Sequence, residues 1–385
     1  MNVDLERVKK VLGPEKQFIH GDHALCYGAL LAGCNFYGGY PITPASEVFE
    51  LMAKLMPRVG GTCIQMEDEI ASIASAIGAS WAGARAFTAT SGPGFSLMQE
   101  NFGYATMTET PVVIANVQRT GPSTGQPTLG AQGDMMQVRY GSHGDYEIIA
   151  LSPNTIQETL EFTIKAFNLA DEYRTPVHIM TDGDIGHMRE RVTIPDEIPF
   201  FDRKKPKVPR EEYVPFGPGL YGKEKVPEFP VFGTGYRTYV TGLTHNERGF
   251  PATDDQKIHD KLVRRLCEKI TDDREKLTDV EERNMDDADV ALVSYGMASR
   301  SALGALNLAR EKGKKVGYFR LKTVWPFPEK AIEELSKKVD RIVVVEMNLG
   351  QIYHKVREFA DCEVSFSGKI GGELHSPTEI LKEVG

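Results

Sequence analysis

Two stretches of the chain hold residue types suited to moving a proton or gripping an anion. In GGYPITPASE, residues 38–47, Thr43 stands between Pro41 and Pro44, after two glycines. Proline fixes φ near −65°. The pattern reads either as ordinary loop punctuation or as backbone held rigid to present a hydroxyl at the mouth of a pocket. In MEDEIASIASAIGASWAGARAF, residues 66–87, three acids (Glu67, Asp68, Glu69) precede a run of small residues. Acids at a helix start are favoured by the macrodipole. A helix this small on all sides, however, packs closely on its neighbours, in a core or an interface, where a carboxylate is costly without a partner. Glu69 therefore reads equally as a dipole acid and as a buried carboxylate with a job.

Two further stretches lie at strand ends. TATSGPGFSLMQENFGYA, residues 88–105, follows a strand and opens a helix. It lacks GxGxxG and a following GKS or GKT, so neither a Rossmann nor a P-loop site fits. A tight turn and an anion-facing helix start both remain open. In VQRTGPSTGQPT, residues 117–128, Arg119 falls at the carboxyl end of a predicted parallel strand. Ligands of open α/β sheets gather at that edge, and an arginine fork there suits a carboxylate or phosphate. Taken alone, Arg119 reads first as a surface salt bridge. His143, between glycines, reads as an exposed loop residue, and no histidine pair has metal-ligand spacing. The five cysteines (Cys26, Cys34, Cys63, Cys267, Cys362) are scattered and contain no CxxC pair. They read as reduced core-type thiols, so any metal centre handling electrons is expected outside this chain.

These groups need a scaffold. The chain has 385 residues, 41% apolar and 26% charged, with a net charge of −9, which fits a folded protein of two or three domains. No basic stripe appears, so no nucleic-acid partner is expected. No segment approaches about 18 uninterrupted apolar residues, and the N-terminal MNVDLERVKKVLGPEK lacks a signal-peptide core, so a cytoplasmic protein without a membrane partner is expected. Predicted strands RAFTATS, PVVIANVQ, YEIIALS and PVHIMTD alternate with predicted helices ASEVFELMAKLM, EIASIASAIGASWAG, FSLMQENFGYATM and TIQETLEFTIKAFNLADEY. That alternation predicts a parallel α/β domain over residues 1–190. Residues 191–285 form a Pro/Gly-rich arm, whose aromatics predict an ordered path, and a charged helix from Asp255 to Arg283. Residues 286–385 restart the alternation as a smaller α/β domain.

In order and spacing, GYPITPASE, QMEDEIASIASAIGAS, TSGPGFSLM and ANVQRTGPSTGQPT resemble the alpha subunit of 2-oxoacid:ferredoxin oxidoreductases, which are thiamine diphosphate enzymes. SYGMASR, LKTVWPFP and VVVEMNLGQI are similar to that subunit's transketolase C-terminal-like domain, and TGLTHNERGFPATDD to the linker of the 2-oxoglutarate type. The resemblance implies a pyrimidine-type thiamine-diphosphate-binding domain followed by the smaller domain. It implies Thr43 near the oxo and carboxylate groups of the substrate, and Pro41 lining the cofactor. It further implies Glu69 at N1′ of the aminopyrimidine, as catalytic and cofactor-binding residue, and Arg119 on the substrate carboxylate. The activity implied is coenzyme A-dependent oxidative decarboxylation of 2-oxoglutarate to succinyl-CoA and CO2, with electrons passed to ferredoxin.

Thiamine enzymes hold the diphosphate through Mg2+ with a GDG…N motif, which this chain lacks. Thr181-Asp182-Gly183-Asp184 is the nearest run, but no asparagine occurs between Asn168 and Asn246. A beta subunit is therefore expected to supply the diphosphate site, the Mg2+ and a 4Fe–4S cluster, with gamma- and delta-type subunits as further partners. A second carboxylate on the substrate asks for a second cation; Arg58, Arg85 and Arg139 are candidates by composition, as is a residue of the partner. The alternatives are a branched-chain 2-oxoacid (2-oxoisovalerate) or pyruvate enzyme, a non-oxidative thiamine decarboxylase, and a scaffold that has lost catalysis.

Overall fold

The β-branched runs pair as parallel strands in a sheet whose carboxyl edge collects all four stretches singled out above. The structure, a computed structural model, describes residues 4–217 and 225–385; positions 218–224 of the predicted arm lie outside the described residues. Across the main sheet the order is Thr323–Trp325, Ile149–Leu151, Pro176–Asp182, Val112–Thr120, Ala86–Thr90, Phe36–Gly39 and Thr62–Gln65. The six strands from the first part of the chain are parallel, and Thr323–Trp325 adds antiparallel at one end. Both central strands, Val112–Thr120 and Pro176–Asp182, are buried along their whole length, as expected where helices cover both faces. Helix Ile156–Tyr173, capped by the Thr155 hydroxyl accepting from the Glu158 N–H, packs on helix Gly21–Leu31 on one side. Their contact is close because a Cβ at Gly28 would lie 2.5 Å from the Leu160 carbonyl oxygen.

A second sheet, in the order Val280–Arg283, Val316–Leu321, Val290–Ser294, Arg341–Glu346, Glu363–Gly368, is parallel apart from its first strand. Strand Thr323–Trp325 thus leaves the second sheet's neighbourhood to complete the first. Gln132 fastens the two parts together: its side chain donates to the Tyr295 carbonyl at 2.8 Å and accepts from the Met347 N–H at 3.0 Å. The chain therefore has the mixed α/β, mainly parallel architecture expected from its pattern.

The described part of the arm is ordered by its aromatics. Tyr213, Phe216 and Phe229 are buried, and the Phe229 and Phe232 rings lie 4.5 and 5.2 Å from Trp81. Beneath the arm, buried Glu109 accepts from Arg265 at 2.5 and 3.0 Å and from Lys269 at 3.2 Å. Burial alone would raise the Glu109 carboxyl, but Arg265, Lys269 and Arg174 together hold it well below the usual range.

Several sequence expectations change. The charged helix predicted from Asp255 to Arg283 is helix Gln256–Thr271, then helix Arg274–Leu277, then strand Val280–Arg283. Its apolar period ends at Ile270, and Thr271-Asp272-Asp273 suits a break better than a continuing helix. FSLMQENFGYATM is two helices, Gly92–Leu97 and Gln99–Met107, the first starting on Gly92-Pro93. The apolar stretch HALCYGALLAGCNF before GGYP, which by its apolar run reads as a strand, is mostly helix (Gly21–Leu31), and only Phe36–Gly39 is strand.

Candidate functional site

Three neighbouring strands end at the same edge. Phe36–Gly39 runs into the Pro41–Pro44 loop, Ala86–Thr90 into Ser91-Gly92-Pro93-Gly94, and Val112–Thr120 carries Arg119 at its last turn of pleat. The edge strand Thr62–Gln65 leads into helix Glu69–Trp81, whose first residue is Glu69. Thr43, Glu69 and Arg119 thus meet where ligands of such sheets bind.

The Pro41–Pro44 loop is held by specific bonds. One Arg119 terminal nitrogen donates to the Thr43 carbonyl at 2.7 Å. The Ala45 N–H donates to Ile42 O at 2.7 Å, and Pro44 is buried. Pro41 and the Thr43 side chain face solvent.

Glu69 is 4% exposed. Asp68, the N-cap, spends its carboxylate on the Ala71 N–H at 2.8 Å, so the two acids divide: one caps, the other turns inward. Among the described residues no other residue donates to the Glu69 carboxylate. Burial first, then the Asp68 charge, raises its pKa; its own backbone N–H and Arg119 oppose the rise. Gly94 forms the opposing wall. A Cβ there would lie 2.3 Å from Glu69 Oε1 and 2.2 Å from Thr90 Oγ1, so only glycine admits the carboxyl at this place.

Arg119, 7% exposed, leaves its Nε without a partner. Burial lowers its pKa, and Asp134 and Glu69 oppose that. The Asp134 carboxylate accepts from Asn116 at 2.9 Å, and the Asp134 N–H donates to Gln118 at 3.1 Å. The sheet edge therefore carries a linked row of polar groups from Glu69 through Arg119 to Asp134 and Asn116. Ser91 Oγ and Asn116 Oδ1 are buried there without partners.

Sequence reasoning named Thr43, Glu69 and Arg119, and the structure brings them together. It missed Gly94, Asn116, Gln118 and Asp134. The period-two polar residues Asn116 and Gln118 inside an otherwise apolar strand were the available signal; Asp134 comes from a loop and gave none. The remaining candidates go elsewhere. Arg85 precedes strand Ala86–Thr90, at the opposite edge, and pairs with Asp171 at 2.9 Å. Arg139 pairs with Glu147 at 2.7 Å. His143 is exposed, and all five cysteines are free thiols. Asp182 is buried and spends Oδ1 on the Asp184 and Ile185 N–H groups at 3.1 and 3.0 Å; burial, foremost, pushes its carboxyl up to about 7.

The residues fit the pyrimidine end of thiamine diphosphate. A buried carboxyl of raised pKa, free of other donors, faces a glycine wall beside unpartnered polar atoms, which is the environment a basic ring nitrogen would satisfy.

Residues 27–265 match the model of the pyruvate flavodoxin/ferredoxin oxidoreductase thiamine-diphosphate-binding domain. Residues 288–380 match that of pyruvate:ferredoxin oxidoreductase core domain II. The chain is 53% identical over 372 residues to the 2-oxoglutarate synthase subunit KorA of Methanothermobacter thermautotrophicus, covering 96% of this chain and 98% of the relative. It is 35% identical over 372 residues to the ketoisovalerate oxidoreductase subunit VorB of the same organism, covering 96% and 97%. A solved 2-oxoglutarate:ferredoxin oxidoreductase from Magnetococcus marinus, with 2-oxoglutarate, coenzyme A and succinyl-CoA bound, superposes with a TM-score of 0.89 at 31% identity. That match covers 96% of this chain and 65% of the Magnetococcus chain. By full-length identity and by both of its sheet regions, the chain belongs to the pyruvate flavodoxin/ferredoxin oxidoreductase family.

Proposed function

We propose that the chain is the pyrimidine-side subunit of a cytoplasmic 2-oxoglutarate:ferredoxin oxidoreductase, which converts 2-oxoglutarate and coenzyme A to succinyl-CoA and CO2. Residues 1–190 form the thiamine domain, 191–285 the arm and charged helix, and 286–385 the transketolase C-terminal-like domain. The observation that carries the reaction type is the buried, otherwise unpartnered Glu69 carboxyl seated against Gly94. The choice of 2-oxoglutarate rests on the 53% identity to KorA against 35% to VorB.

When bound, thiamine diphosphate supplies a nucleophilic carbon for the oxo group and a sink for the electron pair released with CO2. Glu69 would hold the pyrimidine end of that group and keep a proton at its carboxyl, where the raised pKa favours the protonated form. Arg119, fixed through the Thr43 carbonyl and with Nε unmet, grips the substrate carboxylate. Thr43, held by the same bond, presents its hydroxyl to the oxo group, and Pro41 lines the cofactor.

Pro41 and Thr43 are open to solvent, and so are Tyr40, Ile70, Leu97 and Leu129 on segments leaving the same edge. A beta subunit covers this face and brings the diphosphate site, Mg2+ and a 4Fe–4S cluster; gamma- and delta-type chains and ferredoxin complete the assembly. Among the described residues no helix is long and apolar enough to cross a membrane. The test is coenzyme A-dependent reduction of a viologen dye by the anaerobically purified complex with a panel of 2-oxoacids. Preference for 2-oxoglutarate is expected. Preference for 2-oxoisovalerate or pyruvate overturns the substrate, and no reduction despite bound cofactor and clusters overturns the oxidative mechanism.

A further inference from the structure

Beneath the Pro41–Pro44 loop, three helix ends place metal-ligand side chains around one point. Asp22 comes from helix Gly21–Leu31, Glu47 from the first turn of helix Ser46–Val59, and His187 from the end of helix Gly183–His187. One ligand atom from each lies within 4.8 Å of the others. The oxidative decarboxylation proposed above uses none of them.

The decisive member is Asp22. It is 0% exposed, and neither carboxylate oxygen has a hydrogen-bond partner. A buried carboxylate without donors costs several kcal/mol unless it is neutralised or paired. Burial first, then the Glu47 charge, pushes its carboxyl well above the usual range; a cation in this place would reverse both effects. Glu47 Oε2 lies 3.6 Å from His187 Nε2, and both of these side chains are partly open to solvent, which leaves an entry path. Glycines bring the backbone in close. A Cβ at Gly186 would lie 2.9 Å from Asp22 Oδ1, and one at Gly21 would lie 2.1 Å from the Ile185 carbonyl oxygen. Alongside, the rings of His20 and His23 stack with centroids 4.7 Å apart, and His20 Nδ1 is buried without a partner.

We propose that Asp22, Glu47 and His187 form a binding site for a divalent transition cation of the zinc, cobalt or nickel class. One imidazole and two carboxylates suit such ions; Mg2+ prefers an all-oxygen octahedron and keeps its water. Metal–ligand bonds of about 2.0–2.2 Å bring ligand atoms closer together than they stand here, so the more exposed Glu47 and His187 side chains swing toward the fixed Asp22. Three protein ligands leave a fourth position for water. The cation ties together helices on both sides of the Thr43 loop: Glu47 is four residues beyond Thr43, and a Cβ at Gly183 would lie 3.2 Å from the Pro44 ring. Its role is to brace that loop.

The test uses the full chain, stripped with a chelator and desalted, without thiamine diphosphate or Mg2+. Zn2+ is titrated by calorimetry, Co2+ by visible absorption, and the melting temperature is followed with each. The expected result is one equivalent bound, with a higher melting temperature. His187→Gln and Asp22→Asn should each weaken binding by more than the about 10–100-fold typical of losing a supporting group next to a metal ligand. His187 is on a partly exposed helix end, so its variant keeps the test decisive where Asp22→Asn fails to fold. Absence of saturable binding overturns the proposal, as does binding of undiminished affinity in His187→Gln, which would locate the ion on other surface groups.

Discussion

Glu69→Gln separates the two readings of that residue by moving activity and stability in opposite directions. Glutamine keeps the shape of the side chain but cannot carry the exchangeable proton. Loss of a positioned acid–base group typically costs about 10²–10⁴ in rate, so turnover of the assembled complex should fall by at least about 100-fold. Folding should not suffer. Among the described residues no other residue donates to the carboxyl, so none of them is left an orphaned donor by the change. The pKa is raised by burial and by Asp68 above its ordinary 4.5. A carboxyl raised in the folded state contributes stability that is present below its unfolded value and lost as pH rises through the folded one. At neutral and alkaline pH the ionised Glu69 is therefore a cost, which glutamine removes. Urea melts of the chain should show Glu69→Gln as stable as wild type or more so at about pH 8, with the advantage disappearing near pH 4. Turnover within about threefold of wild type would refute the catalytic role. A variant markedly less stable at alkaline pH would show that the carboxylate is held by partners the geometry does not contain.

Gly94→Ala should give a folded chain with little activity. Its Cβ would enter the space of Glu69 Oε1 and Thr90 Oγ1 at 2.3 and 2.2 Å, an overpacking worth about 1–3 kcal/mol; full viologen reduction by the variant complex would contradict the placement of the carboxyl. His178 is fully buried between the Phe95 and Phe102 rings with both ring nitrogens unpartnered, and burial pushes its pKa from 6.5 down to about 3. A depressed histidine contributes stability above its unfolded pKa that is lost as pH falls toward the folded one, here about 5 kcal/mol by the time the pH is below both values. Acid melts should therefore show wild type losing stability relative to His178→Leu between about pH 6.5 and pH 3, and an equally acid-sensitive variant would show that the imidazole is not buried neutral.

The central strands were legible because they are buried on both faces, which writes an unbroken β-branched run into PVVIAN and PVHIM. The helices Ser46–Val59 and Ile156–Tyr173 were legible through their apolar period. Thr323–Trp325 was not: three residues are too short for a period, and their pairing with Ile149–Leu151 depends on a partner more than 170 positions away. Helix Gly21–Leu31 was hidden for the opposite reason. Ten of its residues are buried, so it has no polar face to set a period. Within the site, residues fixed by local grammar could be found: Thr43 by its prolines, Glu69 by its helix start, Arg119 by its strand end. Asp134 and Gly94 could not, since what makes them matter is the neighbour across the gap. The Asp22, Glu47 and His187 cluster was invisible for the same reason, its members spread over about half of the chain.

The two ends of the proposed site stand in different states within this one chain. Around Glu69 the chain supplies burial, the glycine wall and the raised pKa from its own residues, so the proton-handling end is finished before any partner arrives. Around Thr43 it supplies only position. The carbonyl is tied to Arg119, while the hydroxyl, Pro41 and the apolar Tyr40, Ile70 and Leu97 stay wet. Arg119 itself is only 7% exposed, so its fork is already largely out of water. What lacks cover is the Thr43 hydroxyl beside it, whose hydrogen bond to an oxo group competes with solvent until a partner closes over it. Assembly therefore acts on substrate binding more than on proton exchange: covering this face dries Thr43 and leaves Glu69 and Arg119 nearly as they were. Contacts weakened at Ile70 or Leu97 should raise KM for the 2-oxoacid before they lower kcat, whereas changes at Glu69 act on kcat first.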